Sequence, residues 1–521
     1  MAEPWSPARS AVLAAEAADT GGAPLLDTLS MALDRDQGDT PLYTQICEGL
    51  ITVIERGWIE HGARLPSTRK LAEELGVSRN TVVLAFEQLA AEGYIDTQVG
   101  AGTFVAHDAA PKAPARPLRM NPALAAAGDI GQEARIHANL ADVPATLRHM
   151  RRPVAFRANF PAIDQFPLAQ WARTVGDVFR SMSGEQANHL LGEGDPQGLH
   201  ALREEIAIHV ARTRGIVCTA SEVVIFAGAQ QAVDICARLL LMEGDRVACE
   251  DPGYDGIYAS ATAAGAKPVP VPVDEDGMDV ALGRSLVPDA RMIYASPSKQ
   301  FPLGSTMALQ RRMDLLDWTR SSGAWILEDD YDCEFRYSGH ALPPIFSLDT
   351  SGSVIYLGTF SKALFPALRL GYAILPKELV EPVVAARTVL DRYAPILPQL
   401  QVARFMQAGH FAKHLRRMRK LYADRQQILL GAIETELASF MTARPTETGL
   451  EVVATLHPGL DGPQIGRAAA RAGIELMAPS DFARAYRRDD KIILGFSAFS
   501  GAQISRGART LRRVLEELDP P

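Results

Sequence analysis

Apolar and polar positions along the chain fall into two regimes. From residue 40, Leu42, Ile46, Leu50, Val53 and Ile54 recur at helical spacing, and Gly57 and Gly62 end that pattern. A second helix is predicted over 68–75, with Ser67 or Thr68 as its N-cap and Gly76 as its stop. A third restarts at a serine cap, Ser78, and runs to Leu89, so two helices are joined by a short glycine turn. Residues 93–105 then read as two strands around a glycine-rich tip. From residue 153 onward apolar β runs alternate with amphipathic helices, which predicts an α/β domain with a mostly parallel sheet. The runs 451–456 and 491–497 predict strands of a smaller carboxyl-terminal subdomain, and residues 25–33 a short strand or helix.

Between the regimes, residues 108–150 hold five prolines and twelve alanines with no sustained apolar face, which marks a domain boundary. A chain of 521 residues exceeds what one core usually organises. The reading is therefore an amino-terminal extension (1–39), a helical domain ending in a two-stranded hairpin (40–108), a linker (109–150) and a large α/β domain (151–521). The formal charge of −9 argues neither for a polybasic membrane anchor nor for general nucleic-acid coating. The five cysteines are widely spaced and form no Cys-x-x-Cys, so neither a disulfide framework nor a metal site is expected. No apolar run approaches the ~18 residues of a membrane span. Glu3, Glu16 and Asp19 interrupt the alanine-rich start, which does not read as a signal peptide. The expectation is a cytoplasmic protein.

The chemistry centres on 354–375, where two apolar β runs flank Gly358-Thr-Phe-Ser-Lys362 and Arg369. An isolated Ser-Lys pair is an ordinary surface charge. An amine at the carboxyl end of a buried strand is instead placed to form a Schiff base with an aldehyde, and pyridoxal 5′-phosphate (PLP) is the commonest aldehyde cofactor. PLP needs a carboxylate for its pyridine nitrogen, donors for its phosphate and a flat face for its ring. The strand 324–328 runs into Asp329 and Tyr331, an acid for the ring nitrogen and a hydroxyl for the ring 3-hydroxyl. The turn at Gly228, Ala229 and Gln230 opens a helix whose free N–H groups suit a phosphate, with Arg369, Thr359 and Ser361 adding charge and hydroxyls. Tyr254 follows another strand-like run and could stack on the pyridine.

At these residues the chain resembles fold-type I PLP enzymes, and most closely the aminotransferase-like half of the MocR regulators, the GabR-like branch of the GntR superfamily. The amino-terminal region, with Leu65-Pro-Ser-Thr-Arg-Lys-Leu-Ala72, Val77-Ser-Arg-Asn-Thr-Val82 and Gly100-Ala-Gly-Thr-Phe-Val105, resembles the GntR winged helix-turn-helix. The resemblance implies that Lys362 is the Schiff-base lysine, Asp329 the pyridine-nitrogen partner, Tyr331 the 3-hydroxyl partner, Tyr254 the stacking ring and Arg369 a phosphate or ligand contact. It implies a double-stranded operator as a partner, with Arg69, Ser78, Arg79, Asn80, Thr81 and Gly102 as the DNA-facing set. It also implies a homodimer and an amine, amino acid or PLP itself as effector.

Three features complicate that picture. Residues 40–107 hold five basic against eight acidic side chains, whereas a DNA footprint is expected to be basic. A helix-turn-helix used only for protein contacts is the alternative. Fold-type I aminotransferases usually offer a late-strand arginine to the substrate α-carboxylate, and residues 491–500 contain none. Residues 296–304 replace the asparagine-proline motif that touches the cofactor in many of these enzymes, with Lys299 either lining the pocket or in solvent. The basic run from His410 through Arg419 reads as a solvated helix face. The leading function is a PLP-binding transcriptional regulator; the alternative is a working aminotransferase with an accessory domain.

Overall fold

The computed structural model describes residues 41–55, 59–98, 101–106 and 154–518. The expected extension, the element at 25–33 and the linker at 109–150 lie outside them. The chain divides into two units, 1–128 and 129–521.

In the first unit the helices Leu42–Glu55, Thr68–Leu75 and Arg79–Ala91 precede an antiparallel hairpin of β1 (Ile95–Gln98) and β2 (Gly102–Val105). Their apolar faces meet in one small core containing Ile46, Leu50, Leu71, Val82, Phe86 and Leu89. The ends of the helices are set by local chemistry. Ser67 Oγ accepts from the Lys70 N–H and is the N-cap of the second helix. Gly76 ends it at φ 60°, and its N–H reaches the carbonyls of Ala72 and Glu73. Ser78 Oγ then takes the Thr81 N–H at 3.1 Å, so the third helix starts two residues after the second has turned.

The second unit is built on an eight-stranded sheet: β3 (Val223–Phe226), β4 (Arg246–Asp251), β5 (Lys267–Asp274), β6 (Gly277–Met278), β7 (Met292–Ala295), β8 (Trp325–Asp329), β9 (Val354–Thr359) and β10 (Gly371–Ile374). The spatial order is β3-β10-β9-β8-β7-β4-β5-β6. Strands β9, β8, β7, β4 and β5 run parallel, and β10 is antiparallel to both β9 and β3. Parallel pairing needs a crossover of a dozen or more residues, and the short segment 360–370 permits only a reversal. Both faces of the sheet are covered. On β3, Val223 and Ile225 enter one core while Val224 and Phe226 enter the other, which explains its unbroken apolar run.

A second, antiparallel sheet of β11 (Met441–Ala443), β12 (Glu451–Leu456) and β13 (Lys491–Gly495) forms the smaller carboxyl-terminal layer, as the apolar runs predict. It packs with the helices His410–Glu436 and Gly501–Leu518 into the larger core. The basic face of the helix His410–Glu436 is not purely solvated: Arg417 bonds the Gln165 carbonyl and Arg419 that of Glu334.

Gly76 holds the turn of the helix pair in the left-handed region, where an L side chain costs about 1–2 kcal/mol. Gly76→Ala should therefore destabilise the amino-terminal unit by about that amount, and Gly76→Asn by less, because asparagine tolerates this conformation better. Denaturant unfolding of the full chain, following the transition of that unit, measures both.

Candidate functional site

The recognition-type helix Arg79–Ala91 places its first turn outward. Arg79 and Asn80 are exposed and, among the described residues, make no side-chain hydrogen bond or ion pair. Arg69 is likewise exposed on the preceding helix. Ser78 and Thr81 differ: Ser78 Oγ caps the helix by accepting the Thr81 N–H, and the two hydroxyls bond each other at 2.8 Å. Gly102, at φ 120°, opens β2 of the wing. A Cβ there would come within 2.8 Å of the Arg64 Nε, so the glycine makes room for an arginine lying along the wing. Arg64 stands in the segment between the first two helices, and no periodic or capping signal drew attention to it.

In the second unit one end of the large sheet gathers the candidate cofactor residues. Strand β9 ends at Thr359, whose Oγ1 accepts from the Ser361 N–H and starts the short helix Phe360–Ala363 carrying Lys362. The reversal into β10 returns Arg369 to the same end, at φ 49°. Strand β3 is antiparallel to β10, so its carboxyl end lies at the same edge as that of β9 and leads into Gly228 and the helix Ala229–Leu240. Gly228 has φ 110°, and a Cβ on it would meet the Arg369 guanidinium at 3.1 Å. The turn is thus a backbone cradle facing an arginine, with helix N–H groups opening towards it. The Arg369 guanidinium has no hydrogen bond or ion pair among the described residues.

Some predicted side chains are already engaged. Gln230 accepts the Tyr254 hydroxyl at 2.8 Å and donates to Ser260 Oγ, so it fixes the tyrosine while its backbone remains at the helix start. The Tyr254 ring lies over Tyr294, with centroids 6.2 Å apart and planes 26° from parallel. Thr359 and Ser361 build the lysine turn itself.

Asp329 is buried at the end of β8. Its Oδ2 accepts from Tyr294 OH at 2.5 Å, and its Oδ1 has no partner. Burial pushes its pKa up to about 6, against the pull of the Tyr294 hydroxyl. Tyr331 OH is also buried without a partner. Lys362 is half-buried and its Nζ donates to the Asn159 carbonyl at 2.7 Å. Burial pulls its pKa down, while Glu451 and Asp332 push it up. Two buried polar atoms with nothing to bond, beside a lysine biased towards its neutral form, fit a ligand that offers a ring nitrogen, a phenolic oxygen and an aldehyde. The donor set at Gly228 and Arg369 fits its phosphate.

Several neighbours escaped sequence reasoning. Glu328 takes the N–H groups of Ile345 and Phe346 at 2.9 and 2.8 Å, and Asp330 takes Arg214 at 2.7 Å and Tyr356 OH at 2.6 Å. Glu250 takes Ser296 Oγ at 2.6 Å, and burial raises its pKa to about 7, as it does for Glu328. Lys299, left open between pocket and solvent, is buried between Asp332 and Glu451. Tyr294 had the clearest signal, a tyrosine one residue from the end of an apolar strand. A separate cavity of 300 Å³ is lined by Thr213, Arg214, Cys333, Glu334, Arg336 and Arg419 and includes none of Asp329, Tyr331 or Lys362.

Residues 157–452 match the family Aminotransferase class I and II, and residues 42–105 match Bacterial regulatory proteins, gntR family. The chain is 35% identical to the probable rhizopine catabolism regulatory protein MocR of Rhizobium meliloti, covering 94% of this chain and 96% of that one. It is 29% identical to the pyridoxine biosynthesis transcriptional regulator PdxR of Corynebacterium glutamicum, over 95% of this chain and 98% of that one. Among solved structures, the α-aminoadipate aminotransferase LysN of Thermus thermophilus, complexed with N-(5′-phosphopyridoxyl)-L-leucine, has a TM-score of 0.66 at 27% identity, over 74% of this chain and 97% of that one.

Because Asp329 is held above its ordinary 3.8 at about 6 in the cofactor-free fold, the folded state binds a proton that the unfolded state releases. That contribution to stability is present below pH 4 and is lost as pH rises through 6. Asp329→Asn, which cannot ionise, should escape the loss. Between pH 4 and 7 its unfolding free energy should rise relative to the parent by up to roughly 2–3 kcal/mol, measured by denaturant titration of cofactor-free protein.

Proposed function

This chain belongs to the gntR family of bacterial regulatory proteins, in the MocR-type branch that joins a winged helix-turn-helix to an aminotransferase-like domain, and from that premise we propose that it is a PLP-dependent regulator that reads operator DNA as a homodimer. The observation that carries the cofactor reading is the pair of buried, unpartnered atoms Asp329 Oδ1 and Tyr331 OH beside Lys362. The working-aminotransferase alternative is weaker: relatives that span nearly the whole chain are named as regulators, and β13 lacks an arginine for a substrate α-carboxylate.

When bound, PLP supplies an aldehyde for an amine and an electron-withdrawing ring. Asp329 would hold the proton on the ring nitrogen, and Tyr331 would donate to the 3-hydroxyl oxygen. Tyr254, fixed by Gln230, would give the ring a flat wall. The N–H groups of Ala229 and Gln230, with Arg369 and the Thr359–Ser361 turn, would hold the phosphate. Burial keeps the Lys362 amine available as the attachment point.

DNA recognition is assigned to Arg79 and Asn80 at the major groove, with Arg69 and the wing at Gly102 on the backbone. The acidic excess of this domain makes a single reader weak, so two copies in a dimer supply useful affinity. An effector, whether PLP or an amine that reacts with it, acts by favouring one of two dimer shapes. It can shift them by no more than its differential affinity, and DNA must alter effector affinity by the same factor. Such a protein works where the operator is, in the cytoplasm.

Purified protein loaded with PLP should absorb in the visible, and borohydride should fix the cofactor to Lys362. Operator affinity should change on loading. Lys362→Ala should lose both the absorbance and the PLP effect on DNA binding; a variant that kept either would contradict the assignment.

Arg79→Ala should weaken operator binding by about 1–3 kcal/mol if the guanidinium grips a base, and leave the visible spectrum unchanged. Gel-shift titrations at matched salt, with the spectrum taken on the same samples, test it.

A further inference from the structure

The inference here rests on the PLP reading and concerns the chemical class of the amine that reaches it. Asp329 Oδ1 and Tyr331 OH are assigned to the cofactor. In the same neighbourhood Asn159 Oδ1 is a buried acceptor with no hydrogen-bond partner, and Asp332 Oδ2 has the Lys299 ammonium beside it. Asp332 is 1% exposed, so bulk water does not serve it. Lys299 stands 3.2 Å from this Oδ2, but the same ammonium also bonds Glu451, so one cation is shared between two buried carboxylates. Gly449 makes that arrangement possible: a Cβ at this position, φ 95°, would fall on the lysine Nζ.

Asn159 ties the group to the reactive lysine. Its carbonyl takes the Lys362 amine at 2.7 Å, and its N–H goes to Glu451 at 3.0 Å. It adopts φ 60°, so the backbone there is held in an uncommon conformation. The strand that would bring an arginine to this end has none. Instead Ile493 of β13 packs with Ala158, Phe301, Val453, Met477 and Phe482. The other cation acting on Lys362 is Arg157, whose guanidinium lies 4.9 Å over the Phe160 ring. At the lysine amine, Glu451 and Asp332 each act more strongly than Arg157 or Lys299.

A ligand carboxylate would bring more acceptors to a place that already has acceptors to spare. It would lose its water beside Asp332 and Glu451, and β13 brings it no arginine. A donor group would satisfy the open Asn159 oxygen and share the Asp332 carboxylate with Lys299, since leaving a buried acceptor unmade is what selects against the wrong ligand. We propose that the amine recognised at Lys362 carries no carboxylate and presents hydrogen-bond donors at its far end, a second ammonium or a hydroxyl, to Asp332 and Asn159.

The test uses PLP-loaded full-length protein and two matched pairs of amines: 1,4-diaminobutane against ornithine, and ethanolamine against serine. Binding is read from the change in the visible band and, independently, from the shift in thermal midpoint. The carboxylate-free member of each pair should bind at least about tenfold tighter, a difference of about 1.4 kcal/mol. Asp332→Asn, or Glu451→Gln if the first does not fold, should shrink that ratio to below about threefold by removing the negative charge that discriminates. Equal or tighter binding of ornithine and serine overturns the proposal, and so does a loaded protein that responds to none of the four. Failure to acquire a visible band at all refutes the PLP reading itself, so the two failures are distinguishable.

Discussion

Three consecutive carboxylates, Glu328, Asp329 and Asp330, are buried where β8 ends, and much of the surrounding structure answers the problem they pose. A buried charge is tolerable only when paired or hydrogen-bonded. Each acid is served from a different part of the chain: Glu328 by the backbone after Pro344, Asp329 by Tyr294 of the adjacent strand, and Asp330 by Arg214 and Tyr356. Asp329 and Asp330 each keep one oxygen without a partner, but Asp330 has a guanidinium against its other oxygen, whereas Asp329 has only a neutral hydroxyl and the field of Lys362. Arg214 closes the helix His200–Arg214 and also bonds Ser298, so one guanidinium links three segments at the acidic end of the sheet. A site suited to a cationic ring nitrogen thus has its supports distributed through the whole second unit.

Much of this could be read from the chain. The first unit was legible because its signals are local: a serine cap, a glycine stop and a second serine cap fix the helix pair within a short stretch. The placement of Lys362, Asp329, Tyr331 and Arg369 at strand ends was legible because each follows or precedes an apolar strand run. What escaped detection depends on distant partners. No spacing links Asp330 to Arg214, or Lys299 to Glu451, since packing brings them together after the strands have paired. Nor does spacing show that Thr359 and Ser78 cap the helices they precede, that Thr81 bonds the Ser78 hydroxyl, or that the Gln230 amide holds Tyr254.

The two units answer different physical demands. The first buries a small core and turns charged side chains outward, with an acidic excess that limits attraction to phosphates. The second invests in a large two-sided core around a sheet whose strand ends collect the polar chemistry, where open α/β sheets bind ligands.

Gly371, the first residue of β10, lies so close to the neighbouring turn that a Cβ on it would come within 2.9 Å of the Gly228 carbonyl carbon and the Ala229 nitrogen. Lys362 has no such role: among the described residues its Nζ donates to one carbonyl, and its side chain takes no part in the β9–β10 pairing. Over evolutionary time the amine proposed to carry the cofactor and the turn proposed to hold its phosphate are therefore separable. A descendant could drift to a lysine-free sensor that holds an intact ligand non-covalently, because the sheet tolerates that loss, whereas any lineage that put a side chain at position 371 would have to rebuild the turn before selection could act on its chemistry.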